Sequence, residues 1–83
     1  MYNMTEIDNA WWHFEASKQY QKLIKQYTNN KISIDEIILG FLKTIPGEFG
    51  QELQYAHNNN IDSTEYCNAI ECITEDLIDK ELL

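Results

Sequence analysis

The fold is decided by residues 31–45, which read KISIDEIILGFLKTI. Ser33 and Glu36 have the S-x-x-E spacing of a capping box, in which the Ser side chain accepts a backbone N–H at the start of a helix. Apolar residues then recur at helical spacing: Ile34, Ile37, Ile38, Phe41, Leu42 and Ile45. Because a residue before proline disfavours the helical conformation, Pro46 should end this helix near Thr44. We expect the remaining chain to pack around its apolar face.

Capping and periodicity signals predict three further helices and no strand. These helices are expected over residues 5–29, 48–58 and 62–80. Asp62 and Glu65 form a D-x-x-E capping box at the start of the last one, and the third helix is short. A chain of 83 residues has the size of one domain. The sequence therefore predicts an all-α fold, a compact antiparallel four-helix bundle spanning residues 1–83.

The first predicted helix contains two adjacent tryptophans, which point about 100° apart and cannot share a face. The main apolar stripe is formed by Trp12, Ala16, Tyr20, Leu23, Ile24 and Tyr27. This pattern assigns Trp12 to the core and leaves Trp11 with Ile7 and Phe14 on another side. Two alternatives remain for that side: it is an exposed patch that binds a partner, or another part of the chain covers it. Trp11 is thus a candidate partner-binding residue.

Charge is distributed unevenly along the chain, whose net charge is −8. Residues 1–45 hold five lysines and five acidic residues, whereas residues 46–83 hold nine acidic residues and Lys80 as their single cation. There is no arginine. An acidic half of this kind disfavours direct binding to nucleic acid or an anionic membrane, and it favours a basic protein partner.

Five acidic residues of the last predicted helix are the remaining candidate partner-binding residues. Glu71, Glu75 and Asp79 are four residues apart and share one helix face, and Glu65 and Asp76 lie beside them. Like charges at this spacing destabilise their own helix by a few tenths of a kcal/mol per pair. The row is either a solvated face that keeps the protein soluble or a surface for a basic partner.

Catalytic and metal-binding patterns are absent from the sequence. Di-metal helical bundles use Glu-x-x-His pairs, which do not occur here, and His13 and His57 lack ligand spacing. Cys67 and Cys72 would point about 140° apart on one helix, so they should be reduced thiols and not a disulfide. We expect neither an enzyme nor a cofactor. Because no signal peptide or run of about 20 apolar residues is found, we expect a cytoplasmic protein.

The segments LIKQY (residues 23–27) and KISIDEI (residues 31–37) resemble the opening of small bacterial immunity proteins of the colicin D kind, including those of contact-dependent growth inhibition systems. The resemblance covers about a quarter of the chain. It implies a helical bundle that binds a cognate nuclease toxin, often a tRNA-cleaving one, and masks its basic active site with acidic residues.

Two other functions fit the same sequence. A phage-type nucleic-acid mimic, such as an anti-restriction or anti-CRISPR inhibitor, would present the same acidic face to a different basic protein. A generic helical interaction module would instead bind through Ile7, Trp11 and Phe14, and its acidic residues would serve solubility. The sequence leaves open the toxin, the oligomeric state, and whether inhibition acts at the active site or elsewhere.

Overall fold

The computed structural model describes residues 4–83, and over that range the chain forms five helices and no strand. Helices α1 to α5 are Met4–Glu15, Lys18–Thr28, Ile34–Leu42, Gly47–Asn58 and Thr64–Asp79. The prediction of an all-α fold is confirmed. The prediction of four helices is wrong, because the first predicted helix, over residues 5–29, is two helices.

Ser17 separates α1 from α2. Its Oγ accepts a hydrogen bond from the backbone N–H of Tyr20 at 3.1 Å, and it donates one to the carbonyl oxygen of Phe14 at 2.6 Å. One hydroxyl therefore caps an orphan N–H at the start of α2 and adds a second hydrogen bond to the Phe14 carbonyl, which also accepts from the backbone N–H of Ser17. The break frees α1 to bury a different face from the one that a continuous helix would bury.

The two tryptophans are placed opposite to the prediction. Trp12 is 66% exposed, whereas Trp11 is 9% exposed and belongs to the core with Ile7 and Phe14. The assignment of Trp12 to the core is therefore wrong, and of the two alternatives left open for Ile7, Trp11 and Phe14 the structure has the one in which another part of the chain covers them. Phe41 of α3 covers this side of α1, with its ring centroid 5.3 Å from that of Trp11. Trp11 offers a partner almost no surface.

Helix α3 occupies the centre of the fold, as residues 31–45 predicted. It packs against each of the other four helices. Ile37, Phe41 and Leu42 are fully buried, and burying a side chain of this size contributes about 1.5–3 kcal/mol. The helix begins after Ser33, as expected, but the Ser33 side chain makes no capping hydrogen bond. The backbone N–H of Glu36 donates instead to the carbonyl oxygen of Ser33.

The first turn of α4 requires glycine at position 50. A Cβ atom there would lie 1.8 Å from the carbonyl oxygen of Ile45, far inside van der Waals contact. Ile45 is itself buried, and Pro46 occupies the N-cap position of α4. The first turn of α4 can therefore pack against the backbone of Ile45 only because residue 50 has no side chain.

Helix α5 buries an apolar stripe of helical period against the core. Ala69, Ile73 and Leu77 are fully buried, so the opposite face of α5 is turned to solvent. The capping residue lies one position later than expected, because Ser63 and not Asp62 caps the helix, accepting from the backbone N–H of Tyr66 at 3.2 Å.

Candidate protein-binding face

Three of the predicted acidic residues share one exposed face of α5. Glu71, Glu75 and Asp79 are all exposed. They lie on the side opposite Ile73 and Leu77, which hold the helix against the core. Since α5 is continuous through Asp79, the three carboxylates form a row that rises about 6 Å per step.

Helix α1 adds two more carboxylates beside this row. Asp8 and Glu15 line a shallow groove together with Glu75 and Asp79, and Asp8 also lines an adjoining groove with Glu71. None of the described residues that line either groove is Lys or Arg. We call this surface the acidic seam, and its members are Asp8, Glu15, Glu71, Glu75 and Asp79.

Sequence reasoning missed Asp8 and Glu15 because both lie in the half of the chain with no net charge. A signal was present, since two residues seven positions apart on a helix lie on one side. That signal could not identify α5 as the neighbouring helix. The contact between α1 and α5 is a tertiary fact, and it places these two acids beside the α5 row.

Cys72 lines both grooves between α1 and α5, and carboxylates of both helices affect the pKa of its thiol. The pKa of its thiol is raised to about 11, first by burial and then by the charges of Asp8, Glu75 and Glu71, against a lowering by a backbone hydrogen bond. Carboxylates from both helices thus act on one sulfur atom. The thiol stays protonated near neutral pH, which is the opposite of what a nucleophilic cysteine needs.

Asp76 also lines the first of these grooves, but unlike the seam's exposed row its carboxylate is bound within the fold. Its carboxylate accepts a hydrogen bond from the Tyr20 hydroxyl and forms an ion pair with Lys80 Nζ at 2.7 Å. The Asp76 side chain is only 13% exposed. The fold therefore uses this carboxylate to join α5 to α2. Burial and the Asp76 carboxylate both raise the pKa of Tyr20, which stays a hydrogen-bond donor.

Glu65 also lies apart from the seam. It is half-buried in the first turn of α5 and lines a different groove, between α4 and α5, with Glu48 and Glu52. Glu65 and Glu71 are six residues apart and point to different sides of the helix. The predicted set of acidic residues is thus divided between two surfaces and one internal network.

A metal centre finds no support in residues 4–83, where no group of three or more His, Cys, Asp or Glu side chains could hold an ion. No helix in that range is long and apolar enough to cross a membrane. Comparison of the chain with family models, curated proteins and solved structures gave no match.

Proposed function

We propose that this protein is an immunity protein that binds a cognate nuclease toxin and blocks its basic active site with the acidic seam. The observation that carries the proposal is the placement of five carboxylates from α1 and α5 along two adjoining grooves, whose described lining residues include no lysine or arginine. The resemblance of residues 23–37 to immunity proteins of the colicin D kind supports the same function.

The mechanism follows from charge. A nuclease holds its substrate's phosphates with Lys and Arg side chains, and a fixed row of carboxylates can occupy that cleft in place of the nucleic acid. Glu71, Glu75 and Asp79 span about 12 Å along α5, and Asp8 and Glu15 widen the row by one helix. Because the helices are packed against the core, their backbone does not need to be ordered when the toxin binds, and only the side chains lose conformational freedom.

Electrostatic steering should accelerate association and make it sensitive to salt. Truncating one member of a desolvated charge pair typically costs about 2–5 kcal/mol of binding free energy. The seam's contribution should therefore appear both in the association rate and in the lifetime of the complex.

The test is charge reversal on the seam. We expect Glu71→Lys, Glu75→Lys and Asp79→Lys together to weaken binding to a candidate nuclease toxin domain by at least about 30-fold. The measurement is calorimetric affinity at two salt concentrations, with circular dichroism to verify folding. Unchanged affinity in a folded triple variant would remove the proposal.

A matched control separates placement from net charge. Glu36, Asp62 and Glu81 are exposed acidic residues outside the seam, so their reversal to Lys changes the net charge equally. We expect this control variant to bind within a few-fold of the wild type. If both triple variants lose affinity equally, net charge and not the seam controls binding.

A phage-type nucleic-acid mimic would use the same seam, so the carboxylates alone do not distinguish it from an immunity protein. The neighbouring coding sequence does: a toxin domain immediately upstream supports immunity, and a phage context supports the mimic. The interaction module proposed for Ile7, Trp11 and Phe14 loses its surface, because all three residues are buried.

A further inference from the structure

Trp12 lies on α1 beside two carboxylates of the acidic seam. It is 66% exposed, whereas the adjacent Trp11 is buried. Asp8 precedes Trp12 by four residues and Glu15 follows it by three, so both are its neighbours on the surface of one continuous helix. Side chains of a helix lean towards its N-terminus, so the indole is directed towards the turn that contains Asp8. An exposed aromatic ring therefore borders the seam.

The two carboxylates lie between Trp12 and α5. Around the axis of α1, Glu15 and Asp8 follow the buried Trp11 by about 40–60°, and Trp12 follows them by about another 40–60°. Asp8 and Glu15 line a groove with α5 on their inner side. A group that binds these carboxylates from the solvent side would therefore contact the indole as well.

The protein has no arginine of its own to place on this surface. None of the described residues that line the two seam grooves is Lys or Arg. Lys80 shares a third groove with Glu15, but its Nζ atom lies 2.7 Å from the Asp76 carboxylate. A second copy of this chain could bring only lysines to the site, so an arginine must come from a different protein.

The chemistry of the site suits a guanidinium group better than an ammonium group. A guanidinium is planar, so its face can stack on an indole while its edge donates two N–H groups to a carboxylate. The lysine ammonium is a strongly hydrated point charge without a flat face to stack. An indole with a carboxylate one turn away therefore favours arginine over lysine.

We propose that Trp12, Asp8 and Glu15 form a binding site for an arginine side chain of a basic partner protein, in which the guanidinium stacks on the indole and donates to the carboxylates. This inference rests on the proposed function, because it names the residue type that the toxin presents to the α1 side of the seam. It adds an aromatic anchor to a surface of carboxylates. Trp and Arg are both enriched among the residues that dominate the free energy of protein binding.

The probes are two synthetic peptides of equal charge, hexa-arginine and hexa-lysine, titrated separately into isotope-labelled protein. The two tryptophans give two indole N–H signals, and the variant Trp12→Phe identifies the signal of residue 12. We expect hexa-arginine to shift this signal and to bind about two- to fivefold more tightly than hexa-lysine. Equal affinity of the two peptides, or an unmoved Trp12 signal, would overturn the proposal.

Variants of the indole test the origin of this preference. Trp12→Ala should remove the preference for arginine and leave the affinity for hexa-lysine within about twofold, because the carboxylates remain. Trp12→Phe should keep part of the preference, because it keeps an aromatic face. Tyr55→Ala removes an aromatic side chain of similar exposure, 62%, on α4 and should leave the preference unchanged. A preference that survives Trp12→Ala, or that Tyr55→Ala reduces equally, would contradict the assignment.

The carboxylates have their own control. Asp8→Asn with Glu15→Gln should weaken binding of hexa-arginine about threefold or more. Glu36→Gln with Asp62→Asn removes the same charge from two exposed positions outside the seam and should leave the affinity within about twofold. Equal losses in the two double variants would show that net charge holds the peptide, and the site would then be wrong.

Binding to a candidate nuclease toxin domain distinguishes failure of this site from failure of the proposed function. Trp12→Ala should weaken that binding about tenfold or more. If Trp12→Ala binds the toxin like the wild type while charge reversal at positions 71, 75 and 79 weakens binding, the arginine site is wrong and the proposed function stands. If the charge reversal leaves toxin affinity unchanged, the proposed function fails, and the peptide results alone decide the arginine site.

Discussion

Removing the Tyr20 hydroxyl tests whether Asp76 serves the fold and not a partner. Tyr20 is 2% exposed, and its hydroxyl donates to the Asp76 carboxylate, which also pairs with Lys80. The change Tyr20→Phe deletes this single hydrogen bond and keeps the ring that packs on Trp11 with centroids 5.4 Å apart. Any loss of stability then belongs to the hydrogen bond between α2 and α5.

The expected loss is about 1.5–2.5 kcal/mol. Hydrogen bonds to charged groups contribute about 1.5–3 kcal/mol, and the 13% exposure of the Asp76 side chain lets water replace part of the lost partner. Lys80 is 41% exposed, so its ion pair with Asp76 is screened by solvent and adds only a few tenths of a kcal/mol. In a domain of this size the melting temperature should fall by about 6–20 °C.

Urea unfolding followed by circular dichroism measures this loss. We expect Asp76→Ala to cost at least as much as Tyr20→Phe, because it leaves a buried hydroxyl unpaired. The double variant should cost clearly less than the sum of the two single variants. Glu75→Ala, next along the same helix and exposed, should change the unfolding free energy by less than about 0.5 kcal/mol. A Tyr20→Phe variant as stable as the wild type would refute the reasoning.

The same network predicts a response to high pH. The pKa of Tyr20 in the fold is raised above its usual value of 10.0 by burial and by Asp76. Its contribution to stability is therefore complete below pH 10 and is lost as pH rises above that value. Stability of the wild type should fall more steeply above pH 10 than that of Tyr20→Phe, as measured by urea unfolding at each pH. Parallel curves would contradict the assignment.

Three further predictions concern other positions. Gly50→Ala should destabilise by about 1–3 kcal/mol or more in urea unfolding, because its Cβ would lie 1.8 Å from a backbone carbonyl oxygen. Trp11→Ala should cost about 3–5 kcal/mol and Trp12→Ala less than about 0.5 kcal/mol in the same assay, and equal losses would contradict their placement. At pH 8 iodoacetamide should modify the exposed Cys67 before Cys72. A rise in the thiol pKa of Cys72 from 9.0 to about 11 lowers the thiolate fraction of Cys72 about 100-fold. Similar modification rates of the two cysteines under native conditions would contradict this prediction.

Local signals predicted the second half of the fold. The helices over residues 34–42, 47–58 and 64–79 each follow a turn residue or proline and carry an apolar stripe of helical period. Such features act within a few residues, so one sequence suffices to find them. Even there, the capping residue of α5 was misplaced by one position, because Asp62 and Ser63 are both good caps and only the folded chain selects between them.

The first half could not be predicted in the same way. A serine inside a periodic apolar pattern is compatible with a continuous helix, so Ser17 gave no clear signal of a break. The break depends on Phe41, whose ring packs on Trp11 and Phe14 of α1 at centroid distances of 5.3 and 5.4 Å. Tyr20 of α2 joins the same aromatic cluster. Tertiary packing decided which tryptophan is buried, and periodicity alone could not.

The position of the lysines explains why the seam keeps its charge. Lys18, Lys22 and Lys25 lie on α2, which packs against α1 and α3, while its backbone makes no direct contact with that of α5. Tyr20 connects α2 to α5 through its hydrogen bond to Asp76, and Asp76 forms an ion pair with Lys80 at the end of α5. Because none of the described residues that line the two seam grooves is Lys or Arg, the partner proposed above would have to supply the cations that neutralise these carboxylates.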